Sequence, residues 1–546
     1  MSFSPGSAEW QVIERRKMER TEPRDQNRRQ KEQEGAGRRD RMLTRIGPQE
    51  EQACCQSTGC GNLERPDRCA SEALVRIGDA RFPRPFPWRL EYNCPVHENW
   101  NIVHTGMLIP QTRQIYVCSQ NCLRGVIMTA GEMDCADRIS SVMPTEREVV
   151  GGRLEKVTIE GTSDLIDRLQ ERPRAVELFL VCMHHLCGAD ERYILKELRR
   201  RFPDIDFMGC WMDPIMQKVS LTPEQKQRKS MMAVIPKRPV NRRSVSVFGD
   251  NLRLPQTSDL TRVLGRLGIQ VRQVMDCRDY DAYLDMGDSF LYLTRSPLSV
   301  YGLRALAEKN ERPYLYLPPV ALDGQIKEAL RSLLTAAGQS GEAMDEKLFA
   351  FLEQEKASAR QAFAQARAVI GNTEVWLDYL ACPRPLSMAR RLLEEGFRVT
   401  RVCLDSISLE EQADYEWLKA QAPDLLLQST SHVEARQRAR IAPDMQQRKP
   451  EECRILALGP KAAFFAGTPF FVNWIEYDGN WGYDGLRRLT SDMIDAFQRP
   501  KDLRDTVQRK GLGLPSLPGK EDGRIEECAQ PSSGVAVPDK GKGGNG

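Results

Sequence analysis

The sequence has no run of eighteen apolar residues, the length that a membrane-crossing helix needs, so no bilayer span is expected. Met1 to Trp10 lack a basic stretch followed by an apolar run, so no secretory signal is expected and the chain reads as cytoplasmic. There is no Gly-x-x-x-x-Gly-Lys-Ser/Thr loop to cradle nucleotide phosphates, and no Gly-x-Gly-x-x-Gly follows a strand pattern. ATP and NAD sites of those kinds are therefore excluded. An excess of charge of one sign is also missing: 79 basic side chains face 76 acidic ones, a net charge of +3, and no global field points to nucleic acid or a membrane surface. The 16 cysteines in 546 residues are too sparse for a disulfide scaffold, and in a chain read as cytoplasmic they are expected to be thiols or metal ligands.

What is present is length enough for several cores. Residues 1–47, with runs such as Glu14-Arg15-Arg16-Lys17, carry too little apolar surface to offset ordering entropy and read as a charged disordered arm. Residues 48–87 form a cysteine-containing lead-in, and 501–546, rich in Gly, Pro, Ser and Lys from Gly511 onward, read as a flexible tail. Between them short apolar runs alternate with amphipathic helices, the pattern of parallel α/β units. Ala175 to Val181 predicts a buried strand and Glu191 to Phe202 the helix after it. A second series starts at Ser244, with strands at 269–274, 289–294 and 313–317. A long helix over about 343–369 leads to a third, with strands at 374–379, 398–404, 424–428, 454–458 and 470–474 and a last helix over 486–497. The expected fold class is α/β: three doubly wound, Rossmann-like parallel-sheet domains at 88–240, 241–370 and 371–500.

Three segments of the first domain carry candidate chemistry: Asn93-Cys94-Pro95-Val96-His97, Cys118-Ser119-Gln120-Asn121-Cys122, and Cys182-Met183-His184-His185-Leu186-Cys187. The third follows directly on the strand at 175–181, so Cys182 stands at a strand's carboxyl end, where doubly wound sheets present ligands. Thiolates hold iron–sulfur clusters, although cysteine is also a common small buried hydrophobe. Four of the five histidines, His97, His104, His184 and His185, fall in or beside these segments. His104 is the candidate proton donor, His184 the second choice, and Glu98 and Glu132 are possible relays. Cys54, Cys55, Cys60 and Cys69 admit a second metal site or unliganded thiols, and Cys277 and Cys382 read as buried structural thiols.

The order Cys94-Pro95, then Cys122 before a helix, then Cys182 after a strand resembles the three-cysteine pattern of nitrogenase component 1 type oxidoreductases, which include the light-independent protochlorophyllide reductase subunits. Lys461 to Gly485, ending Trp481-Gly482-Tyr483-Asp484-Gly485, looks like the family's last-domain segment, and the Arg384-Pro385 turn also fits. The resemblance covers roughly residues 88–500. It implies three domains around a central cleft and an iron–sulfur cluster, of 4Fe–4S type, shared at the interface with a homologous component 1 subunit in a homo- or hetero-oligomer. By the same resemblance Cys94, Cys122 and Cys182 are the ligands, Cys118 and Cys187 the alternates, and a separate nitrogenase reductase-like iron–sulfur ATPase supplies electrons.

Two departures limit the resemblance. The second-domain segment that matches the nitrogenase cofactor cysteine reads Leu293-Thr294-Arg295-Ser296, and His432 is the third domain's one histidine, well before the expected turn. Dinitrogen reduction is therefore not expected. The functional expectation is an oxidoreductase subunit passing electrons through its cluster to an unidentified substrate. The alternatives are a non-catalytic scaffold or carrier for cluster assembly, and an interaction subunit without metal.

Overall fold

The structure is a computed structural model in which residues 72–87, 102–213, 221–339, 342–435 and 454–501 are described. The arm at 1–47, Cys54, Cys55, Cys60, Cys69, Cys94, His97, Glu98 and the tail from 502 lie outside the described residues.

The first described strand, β1 (Leu74–Arg76), does not stand apart as a lead-in. It pairs antiparallel with the third sheet, Leu74 opposite Gln428, and Tyr415 donates its hydroxyl to the Ala80 carbonyl at 2.6 Å. Three residues are too few to show a period in sequence.

The first sheet is four-stranded and parallel, of β2 (Thr112–Val117), β3 (Ile139–Val142), β4 (Ala175–Val181) and β5 (Asp206–Met212), in the order β3-β2-β4-β5. Its helices are α1 (Ile102–Met107), α2 (Gln120–Glu132), α3 (Glu146–Val150), α4 (Leu154–Arg168), α5 (Cys182–Leu186), α6 (Glu191–Arg201) and α7 (Pro223–Ala233). All seven residues of β4 are buried, as a central parallel strand covered on both faces requires. Asp190 caps α6 by accepting from the Arg192 and Tyr193 amides, and Arg199, Arg200 and Arg201 complement the dipole at its other end. Thr222, Pro223 and Gln225 start α7 as a capping box with proline at the first turn.

The second sheet and its helices repeat the pattern with β6 (Asn241–Val247), α8 (Asp259–Arg266), β7 (Gln270–Gln273), β8 (Ser289–Thr294), α9 (Val300–Asn310), β9 (Tyr314–Tyr316) and α10 (Asp323–Ala336), the strands in the order β7-β6-β8-β9. Helix α11 (Glu342–Ile370) buries the stripe Ala359, Phe363, Ala366 and Ile370, spaced at helical period.

The third sheet and its helices comprise β10 (Glu374–Asp378), α12 (Pro385–Glu394), β11 (Arg398–Cys403), α13 (Gln412–Gln421), β12 (Leu426–Gln428), β13 (Ile455–Leu458), α14 (Pro460–Ala466), β14 (Phe471–Val472) and α15 (Gly482–Gln498). Its order is β1-β12-β11-β10-β13-β14, all parallel except β1. The expected α/β class with three parallel sheets is therefore observed.

The Gly-aromatic-Asp-Gly turn has a plain structural role. Asp259, at the start of α8, accepts from the Tyr483 amide at 2.6 Å and the Asp484 amide at 3.4 Å, capping α15 from a helix of the second sheet's layer. Gly482 has φ +67, and a Cβ there would meet the Asp259 carboxylate, so glycine is required on both counts. Thr257 donates to Asp484 at 2.7 Å and completes the dock.

Candidate metal centre

The carboxyl end of the first sheet collects the described thiol candidates. Chain leaving β2 passes Cys118 and enters α2 with Cys122 in its first turn; chain leaving the adjacent β4 begins α5 at Cys182. Cys118 is fully buried, and burial, followed by the neighbouring Cys122, pushes its thiol up to about 12. Cys122 and Cys182 are half-buried and Cys187 is exposed. Ser119, at the N-cap of α2, makes no side-chain cap bond; its hydroxyl instead lies 3.3 Å from the Cys122 sulfur, where it can donate to a thiolate.

The two adjacent histidines have opposite surroundings. His184 is buried, accepting at Nδ1 from the Val181 amide at 3.2 Å. The Thr158 hydroxyl donates to the Leu154 carbonyl, so it accepts from His184 Nε2–H at 3.2 Å. Both nitrogens are used, and burial lowers the imidazole to about 4. His184 is thus braced inside the fold through both ring nitrogens. His185 is exposed, with Nδ1 2.7 Å from the buried Asp213 carboxylate. His104 is buried in α1, which packs against α7 and β2.

Sequence reasoning missed a second polar centre, where the three sheets meet. Asp250 accepts from the Arg295 amide at 3.0 Å and from Arg295 Nε at 2.6 Å. The same guanidinium donates to the carbonyls of Leu252, Gly479 and Asn480. Arg228, from α7, donates to the Gly249 carbonyl, to Asn251 and to Thr105 of α1. Asn251 in turn donates to Glu476 at 3.0 Å and 3.2 Å. Glu476, Tyr477 and Asp478 are all left-handed, a run of side-chain-bearing residues that L-stereochemistry disfavours and that this bonding holds in place. Burial pushes Glu476 up to about 7, with Arg228 opposing.

Residues 106–498 match the family described as Nitrogenase component 1 type Oxidoreductase. The chain belongs to this family. Two solved structures are similar to this chain. The one described as Nitrogenase Cp1 at pH 6.5 has a TM-score of 0.53 at 13% identity, covering 76% of this chain and 95% of that one. The other, Nitrogenase Cp1 at pH 5, has a TM-score of 0.51 at 11% identity, covering 78% and 94%. At such identities the likeness shows the shared fold. No curated protein matches the chain.

Nitrogenase component 1 type proteins bind iron–sulfur clusters, and the donor chemistry here fits one: two half-buried thiols at neighbouring strand ends, one within hydrogen-bond distance of the Ser119 hydroxyl. Among the described residues no three His, Cys, Asp or Glu side chains group to hold a metal. A large cofactor at the three-sheet junction does not fit. Arg295 lies in the segment Leu293-Thr294-Arg295-Ser296, which has no cysteine, and its guanidinium is committed to Asp250 and three carbonyls. His432 is engaged elsewhere, accepting from the Glu434 amide and lying 3.7 Å from Glu72 beside β1.

Proposed function

We propose that the chain is an oxidoreductase subunit that holds one side of a 4Fe–4S cluster through Cys94, Cys122 and Cys182, with a homologous subunit supplying the other side and a separate iron–sulfur ATPase supplying electrons. The observation that carries this reading is the pair of half-buried thiols at the carboxyl ends of adjacent parallel strands, β2 and β4. Such a cluster, when bound, takes up and releases single electrons. The chain's own part is to present thiolates, shield them and set their hydrogen bonding. Cys122 is steadied by the Ser119 hydroxyl, while Cys118 fills the core beneath it.

The edge also suits a partner. Met143 after β3, Ile127 on α2, Val150 on α3 and Leu186 on α5 are exposed apolar side chains on the segments leaving β2, β3 and β4. A covering subunit would remove them from water.

The test is anaerobic purification followed by iron and acid-labile sulfide analysis. Cys122→Ala and Cys182→Ala are each expected to lose most of the iron, and Cys118→Ala to keep it. Iron-free wild-type protein would sink the reading. The closed junction favours one alternative, a carrier that hands its cluster on, because no cofactor space separates Arg295 from its partners. Transfer of labelled iron to an acceptor protein would favour the carrier; retention through repeated reduction would favour the oxidoreductase.

A further inference from the structure

We propose that α1 is a lid on the buried Glu177 carboxyl, closed while that acid holds its proton and lifted when the proton is lost. The lid is fastened at both ends and on its far side. At its start the Gln227 side-chain amide donates to the Ile102 carbonyl at 2.7 Å, and the Gln114 amide reaches the carbonyls of Ile102 at 3.3 Å and Val103 at 3.4 Å. At its end Arg138 donates to the Met107 carbonyl at 3.0 Å and, beyond it, to those of Ile109 and Thr112. On the far side Thr105 donates to Asn251 at 3.0 Å. All six residues of α1 are buried, and Gly106 packs so closely on Glu177 that a Cβ there would meet the carboxylate.

Competition for two amides supplies the mechanism. The same Gln114 and Gln227 nitrogens donate to Glu177 Oε2, at 3.1 Å and 2.9 Å. Each amide has two hydrogens, and Gln114 has three acceptors in reach of them. A hydrogen bond to an ionised group is roughly twice as strong as one between neutral groups. Loss of the Glu177 proton therefore draws both amides off the first carbonyls of α1. The other carboxyl oxygen is buried and has no hydrogen-bond partner among the described residues, so the new charge there needs water.

The groups that face Glu177 leave it without a fixed counter-ion. They are Tyr116 of β2, Cys210 of β5, Tyr283 after β7 and Arg138 before β3, while α1 itself carries His104. The Arg138 guanidinium is already committed to its three carbonyls. Burial pushes the closed-state acid from 4.5 up to about 7. Between those values the closed state holds more protons than the lifted state, so opening is favoured as pH rises and levels off above 7. Thr105, and Leu108 just past α1, line a small cavity with Arg228, Met231 and Phe248, and lifting α1 opens that space.

The experiment is amide hydrogen exchange on the full-length chain from pH 5 to 8, with intrinsic rates divided out. Protection at residues 103–107 is expected to fall by up to about tenfold per pH unit from pH 5 to 7, then to level off, and to stay below that of the β4 amides. Low urea should leave α1 exchange nearly unchanged, because a six-residue lid exposes little surface, while it speeds exchange in β4. In Glu177→Gln the α1 profile is expected to be flat. A fall that persists in Glu177→Gln would put the titration on another group, such as His104, and overturn the proposal. Wild-type protection that does not change with pH, or α1 and β4 exchanging with one urea slope, as global unfolding requires, would overturn it too. Should Glu177→Gln fail to fold, the sign of the wild-type pH profile and its urea slope decide alone.

Discussion

Glu177 is the one ionisable residue in a strand of seven buried positions, and its carboxylate accepts from Gln114 at 3.1 Å and Gln227 at 2.9 Å while its other oxygen has no partner. Burial pushes it from 4.5 up to about 7, the two amides opposing. Between pH 4.5 and 7 the folded chain then binds more protons at this site than the unfolded chain does. Stability contributed here therefore falls as pH rises through that window, and the loss is complete above pH 7. The size is on the order of 3 kcal/mol. Glu177→Gln keeps the shape without the charge, so it is expected to exceed wild type in urea midpoint at pH 8 and to match it near pH 5; parallel pH profiles for the two proteins would refute this. The same scale explains what sequence could and could not reveal of the site. Cys118 and Cys122 are equivalent in a spacing argument, yet the end of β2 turns the first into the core and the start of α2 turns the second outward. The split between His184 and His185 is likewise invisible until β5 brings Asp213 alongside.

Among the elements, legibility followed burial and length. Strands β4 and β8 were readable to the residue because each is an almost unbroken apolar run, and α11 because its apolar stripe persists for 29 residues. Strand β1 and the five-residue α5 were not, being shorter than the periods that identify them. The start of α15 was visible only as a motif, and the physical content lies in its dock. Asp259 is pushed up to about 7 by burial and by Glu355, against the opposing amides of Tyr483 and Asp484. An amide side chain can still accept those two N–H bonds, so Asp259→Asn is expected to change stability by less than about 1 kcal/mol. Gly482→Ala meets both an unfavourable φ of +67 and the Asp259 carboxylate, and a loss of about 2–4 kcal/mol is expected in denaturant titration. Equal effects from the two substitutions would mean that the cap charge, not the tight approach, holds α15.

At the scale of the molecule, the three sheets are joined at a polar junction built on Arg295 and Asp250. Arg295 and Asp250 have side-chain exposures of 7% and 6%, so each charge is stranded if the other is removed. Breaking such a pair on one side typically loses about 3–5 kcal/mol, whereas removing both is far milder. Arg295→Ala is therefore expected to lower the urea midpoint sharply, and Asp250→Ala to do the same. The double variant should lose clearly less than the sum of the two single losses. Arg295→Lys should not rescue, because an ammonium cannot reach the carboxylate and the carbonyls of Leu252, Gly479 and Asn480 together. Metal content separates this from the opposite view. If the junction only braces the domains, iron per folded chain stays at the wild-type value in Arg295→Lys, because the thiols lie on the first sheet and Arg295 follows β8 of the second. If the junction were a cofactor cavity, the same substitution would leave stability nearly unchanged and alter the metal bound. Iron analysis and urea titration on one preparation therefore discriminate brace from cavity.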